Sequence, residues 1–259
     1  GLIIIAESGQ SCKPINPANA AKTGILSAKI ISKGVKSSEY FLESKKGYFH
    51  AMSDEVDEKM ITEGLGETFT ICESYMKPYP SCRHTHCGIE CVLDIRKRIA
   101  EGDKIKDVKV YIYKNAIDIA GQIKVPRVSD DAKFSVHYSL AVALLKGHFN
   151  LGDLDISAMD EELLRVIGSI ELIVDSSMED RDKGIRGSRV VVTTESGSVL
   201  EKTVLIPLGD AANPLTWSDL EEKLSACSEG LLSKENQEKL LENIHILDRF
   251  NKIDTINLY

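Results

Sequence analysis

The sequence predicts an α+β fold, and three observations carry the expectation. Apolar residues recur at helical spacing towards both ends, the middle of the chain alternates with the two-residue period of strands, and two of those strands flank the turn-prone pair Ser196-Gly197. Strands joined by a tight turn run antiparallel, so the expected sheet is antiparallel and the middle is not doubly wound. With 259 residues, 42% of them hydrophobic, the chain is long enough to bury a full core in one large or two modest domains.

The elements follow in order. Gly1-Leu2-Ile3-Ile4-Ile5-Ala6 is an apolar run that stops at Glu7, far short of the roughly 20 residues a membrane span needs. It also lacks a cationic flank and a cleavage site, and it reads as the end of a buried helix whose beginning is absent. Asn16 is the expected N-cap of the next helix, with Pro17 at the first helical position and Gly34 as the stop after Lys33. Ala20, Gly24 and Ala28 lie four apart, a stripe of small residues that lets another helix approach closely. Glycine in a helix interior costs up to ~1 kcal/mol relative to alanine, so the stripe predicts burial in a helical assembly. A loop at Lys45-Lys46-Gly47 and a short helix near Glu55 to Thr62 come next.

Lys77-Pro78-Tyr79-Pro80-Ser81-Cys82-Arg83-His84-Thr85-His86 gathers a lysine, an arginine and two histidines on a turn stiffened by two prolines. A helix is expected from Cys87 to Ala100, with Ile89, Val92, Leu93 and Ile99 mainly on one face and Arg96, Lys97 and Arg98 in the last turns. His84 and His86 then stand near a helix start, where free N–H groups favour a carboxylate. Val108, Val110 and Ile112 alternate with Lys109 and Tyr111, which predicts a strand from Asp107 to Tyr113. Phe134, Tyr138, Ala141, Leu144 and Leu145 predict a helix from Ala132 to Lys146, closed by Gly147. Glu171 to Asp175 is a further strand, and Arg189 to Thr194 with Val199 to Ile206 form the hairpin. Ser218, with Glu221 three residues on, is the expected capping box of a helix, and Leu240, Leu241, Ile244 and Leu247 mark a last helix from Lys234 to Leu247.

Composition excludes several function classes. Lys+Arg 32 against Asp+Glu 40 leaves a net charge of −8, so there is no electrostatic footprint for nucleic acid, while a local cationic pocket for small carboxylates remains compatible with an acidic chain. The six cysteines, at 12, 72, 82, 87, 91 and 227, have no framework spacing, and reduced thiols in a cytoplasmic protein are the expectation. Cys82, Cys87 and Cys91 beside His84 and His86 raise a metal hypothesis. The spacing C-x4-C-x3-C misses the ferredoxin patterns and no C-x2-C pair supports zinc, so no metal is expected.

Three segments in chain order resemble the MmgE/PrpD family, which includes 2-methylcitrate dehydratase. They are KPYPSCRHTH from Lys77 to His86, KPINPANAAKTG from Lys13 to Gly24, and AKFSVHY from Ala132 to Tyr138. The resemblance implies part of an all-helical domain (residues 1–75), a smaller α+β lid domain (76–207) and a return to the helical domain (208–259). It implies that this chain corresponds to the second half of the usual enzyme. Lys13, His86, Tyr138 and His84 would be catalytic, and Lys77, Arg83 and Asn16 would bind substrate. Related proteins commonly carry histidine where this chain has Asn16, and an apolar residue or proline where it has His137.

The implied chemistry is removal of a proton α to a carboxylate in a small di- or tricarboxylic acid, followed by elimination, without metal or organic cofactor. Decarboxylation and epimerisation are alternatives within the family, and an interaction module lacking half of the site is the non-catalytic one. A homodimer or a complementary N-terminal chain is the expected partner, with no nucleic acid and no membrane.

Overall fold

The computed structural model describes residues 14–249; Lys13 and Cys12 lie outside them. The chain divides after Ser74 into two units.

In the first unit, helix α1 covers Ile15–Ser32 and ends where expected, with Gly34 beyond Lys33. Its start differs from expectation. Pro14, not Asn16, occupies the cap position and no side chain caps the helix. Proline at 17 is tolerated in that first turn because the N–H it lacks would have had no partner there. The small-residue stripe is not covered: no residue of α1 is buried, and the space beside Gly24 is open. Helix α2 (Tyr48–Met52) follows a turn in which Tyr48 N–H donates to Phe41 O at 2.9 Å. A Cβ at Gly47 would stand 2.6 Å from that carbonyl, so the close turn requires glycine. Helix α3 (Lys59–Thr62) is the C-terminal part of the helix expected from Glu55.

The second unit, from Tyr75, builds a mixed sheet with helices on one face. A 3₁₀ turn (Arg83–Thr85) runs directly into α4 (His86–Arg96), which stops short of Ala100 because Arg98 and Ile99 bond to the third preceding carbonyl, tightening the last turn. β1 (Ile105–Ile112) leads through α5 (Lys114–Ala120), α6 (Ser129–Ala132), α7 (Val136–Lys146) and α8 (Glu161–Ser169) to β2 (Ile170–Val174). The two-residue strands β3 (Glu179–Asp180) and β4 (Ile185–Arg186) pair with each other, then β5 (Ser188–Thr194) and β6 (Val199–Val204) form the expected hairpin. Helices α9 (Trp217–Ser228) and α10 (Lys234–His245) complete the described chain.

The sheet order is β2-β1-β5-β6. β1 pairs antiparallel with β5 (Val110 opposite Val190) but parallel with β2 (Val110 opposite Leu172), so the expected antiparallel sheet is mixed. The physical reason is the connection: four helices between β1 and β2 carry the chain back so that both strands point the same way. Val108, Val110 and Ile112 are buried under the helices, with Lys109 exposed on the other side, as the alternation predicts.

Helix α7 is the centre of the core, buried continuously from Val136 to Leu144, as an all-round apolar helix must be. It packs against α4 and α8, which in turn lie on β5–β6 and on β1. Helix α4 approaches α7 through Gly88, where a Cβ would meet Leu140 at 3.1 Å. The single helix expected from Ala132 is broken because Ser135 Oγ accepts from Tyr138 N–H at 3.0 Å and starts α7 afresh. Phe134 therefore precedes the cap and does not share a helical face with Tyr138. Helix α9 is capped by Thr216 with Asp219, two residues before the expected box at Ser218. Among the described residues, no helix is long and apolar enough to cross a membrane.

Candidate functional site

The proline-rich loop is held by backbone bonds from distant segments. Met76 N–H donates to Gly209 O at 2.7 Å, Cys82 N–H to Lys133 O at 2.7 Å, and Lys223 Nζ to Lys77 O at 2.7 Å. Within the loop, Lys77 Nζ reaches Ser81 O at 3.1 Å, and the hydroxyls of Ser81 and Thr85 meet at 2.6 Å. These ties fix where the four cationic and imidazole groups stand.

Arg83 is only 8% exposed and its Nη2 lies 2.7 Å from Asp210 Oδ2. Its guanidinium also lies 5.2 Å from the centre of the Tyr75 ring. Arg83 Nη1 is buried without a partner at hydrogen-bond geometry, and the Cys87 thiol faces the guanidinium. Burial pushes that thiol up to about 12, so it is no nucleophile at neutral pH. One helical turn on, Glu90 accepts from Leu208 N–H at 2.7 Å, and burial raises its carboxyl. Leu208, Gly209 and Asp210 thus hold α4, the loop and the 3₁₀ turn respectively. Gly209 has φ +85°, and a Cβ there would stand 1.9 Å from Met76 O, so this residue must be glycine.

His84 is half-buried, with Nδ1 hydrogen-bonded to the Tyr113 hydroxyl and the two rings edge to face at 5.5 Å. Burial, then the charges of Arg186 and Arg83, lowers its pKa to about 4; Lys77 adds to this and Glu179 opposes it. His86 is fully buried, its ring edge-on to Tyr79 at 5.3 Å. Burial, then Arg83 and Lys77, lowers it to about 3. The Ser81 backbone is near enough to favour the charged ring, but neither ring nitrogen meets a partner at hydrogen-bond geometry. Both imidazoles are therefore neutral at pH 7.

The loop brings together Lys77, Arg83, His84 and His86. Tyr138 stands elsewhere in the core: its hydroxyl donates to Asp153 O at 2.5 Å, and its ring meets Phe149 edge to face. The neighbouring His137 is also buried and lowered to about 4 by burial, then by Lys124. Asn16 is an exposed residue in the first turn of α1, in the other unit, and Lys13 lies outside the described residues. Among the described residues, no three His, Cys, Asp or Glu side chains converge as a metal-holding group.

Sequence reasoning missed Tyr113, Glu90, Gly209 and Asp210. Tyr113 follows directly on β1 and is 1% exposed, and the signal was an aromatic with a polar tip where the alternation ends. Gly209-Asp210 is an ordinary turn pair in sequence, and its contact with Met76 and Arg83 is visible only in three dimensions.

Residues 79–249 match the MmgE/PrpD C-terminal domain. No curated protein matches the chain. The match begins within the histidine loop and runs through the sheet and both C-terminal helices, so the chain belongs to the MmgE/PrpD family and contributes that family's C-terminal domain.

Proposed function

We propose that this chain carries part of the active site of an MmgE/PrpD-type lyase acting on a small di- or tricarboxylic acid, most like 2-methylcitrate dehydratase. One observation carries the reading: His84, a half-buried imidazole, is held neutral among Arg83, Arg186 and Lys77. A neutral ring takes part in proton transfer at pH 7, whereas a protonated one could only donate. The surrounding cations favour a carboxylate ligand and the anion formed when its α-proton leaves. His86 supplies a second neutral ring behind the loop. Arg83 acts partly through Asp210, which leaves Nη1 for an anionic oxygen.

Loss of a β-hydroxyl from the anion is the dehydration. Lys13 and Asn16 enter this reading through resemblance alone, and Tyr138 serves as scaffold because its hydroxyl is engaged by Asp153. Further groups come from a second copy or from a complementary N-terminal chain. The test is turnover of 2-methylcitrate by the protein with that complement, followed by the ultraviolet absorbance of the conjugated product. Product formation that falls at least about tenfold in His84→Gln is expected. Turnover unchanged in that variant, or no di- or tricarboxylate consumed by the assembled protein, overturns the reading.

A further inference from the structure

Resting on the functional reading above, we infer that Tyr113 is a positioning residue that fixes the tautomer of His84, so that the ring presents Nε2–H to a substrate oxygen. The argument starts from the phenol. Tyr113 is 1% exposed, so bulk water does not serve its hydroxyl. Among the described residues its hydrogen-bond partner is His84 Nδ1.

A phenolic O–H needs an acceptor when buried. If Nδ1 carried the proton, it would donate to the phenolic oxygen and leave the phenol proton sealed in the core with no acceptor. If Nδ1 is bare, the phenol donates to it and both groups are satisfied. A buried donor without a partner is the costlier arrangement, so the second tautomer wins. Burial also raises the Tyr113 hydroxyl above its ordinary range, so the phenol keeps its proton to donate.

The other nitrogen is then determined. A neutral ring with a bare Nδ1 carries its proton on Nε2. That atom has no protein partner among the described residues and is not sealed from solvent, unlike both nitrogens of His86. His84 is thereby a hydrogen-bond donor that bears no charge. It strengthens its bond as negative charge develops on a carboxylate oxygen, and it does not begin from a tight ion pair with the substrate. The charged and titratable groups that face it are Arg186 and Glu179 from the β3–β4 pair, Arg83 and Lys77 from its own loop, and Tyr113 at the end of β1.

The test is the long-range proton–nitrogen correlation spectrum of the imidazole rings in the whole chain at neutral pH, with His84 assigned by its loss in His84→Gln. The expected result is a neutral ring protonated at Nε2 with an acceptor shift at Nδ1. In Tyr113→Phe the ring should lose that single tautomer and titrate upward by about half to one pH unit, the equivalent of one ordinary hydrogen bond. A wild-type ring protonated at Nδ1 overturns the inference, and it does so without any variant having to fold. A spectrum unchanged in Tyr113→Phe also overturns it. Neither readout requires turnover, so failure of the dehydratase reading would show separately, as absence of product with the tautomer intact.

Discussion

Mild acid should unfold this protein through its buried histidines. His84, His86 and His137 hold pKa values of about 4, about 3 and about 4 against an ordinary 6.5. Each folded value lies below the unfolded one, so between them the unfolded chain binds the extra proton. Stability is therefore complete above about pH 6.5 and falls as the pH drops towards the folded values. The slope is about 1.4 kcal/mol per pH unit for each proton. Lowering the pH from about 6.5 to about 5 then removes about 2 kcal/mol per histidine, and about 6 kcal/mol for three treated as independent. Sharing of Arg83 and Lys77 by His84 and His86 makes that sum an upper figure. Glu90 works in the opposite sense: burial raises its carboxyl, so it favours the folded state as pH falls and offsets part of the loss. Against a typical domain stability of about 5–15 kcal/mol the net effect is large. Urea denaturation followed by far-ultraviolet circular dichroism at neutral pH and near pH 5 measures it. His86→Phe, which keeps a flat ring in the same space, should flatten the pH dependence by about a third. A urea midpoint that does not move across this range, or a slope unchanged in His86→Phe, would refute the reasoning.

Three further perturbations read the neighbourhood of the loop. Gly209→Ala places a Cβ where Met76 O now sits and forces a left-handed conformation on alanine. A loss of roughly 2–4 kcal/mol in the urea midpoint is expected, and a neutral result would contradict the close contact. Asp210→Asn keeps a hydrogen-bond acceptor for Arg83 but removes the charge, which should cost about 1–2 kcal/mol, reduced by the partial exposure of Asp210. Restored stability at high salt with no difference between the two proteins would agree; a midpoint unchanged at low salt would not. Tyr138→Phe should cost about 1 kcal/mol through the lost bond to Asp153 O and leave turnover in the assembled enzyme intact. Lost turnover at unchanged stability would return Tyr138 to the active site.

Local signals were legible where a residue's neighbours in sequence are also its neighbours in space. The alternation of Val108, Val110 and Ile112 marked β1, Ser196-Gly197 marked the hairpin, and Gly147 in the left-handed region closed α7. The loop at Lys77 to His86 was recognisable because proline, arginine and histidine are crowded into ten residues. What was not legible depends on long-range pairing. Nothing in Ile170–Val174 says that it lies parallel to β1, because the period of two is the same in either direction. Thr216 and Ser218 are both capable caps with an acidic residue three positions on, and the competition between them is settled by where the chain leaves the turn at Asn213. The bond from Tyr113 to His84 joins the end of a strand to a turn, and no spacing rule connects them.

Met76 and Gly209 are hydrogen-bonded across the neck of everything that lies between them. The polypeptide therefore departs and comes back at a single point, as a stem does for a leaf. A segment with its two ends already joined fits into a host without stretching either attachment, and its interior does not register how long the flanking chain is. The histidine loop sits on that stem. Whatever is attached outside it reaches the loop's chemistry first through one backbone bond and one glycine that accepts no side chain.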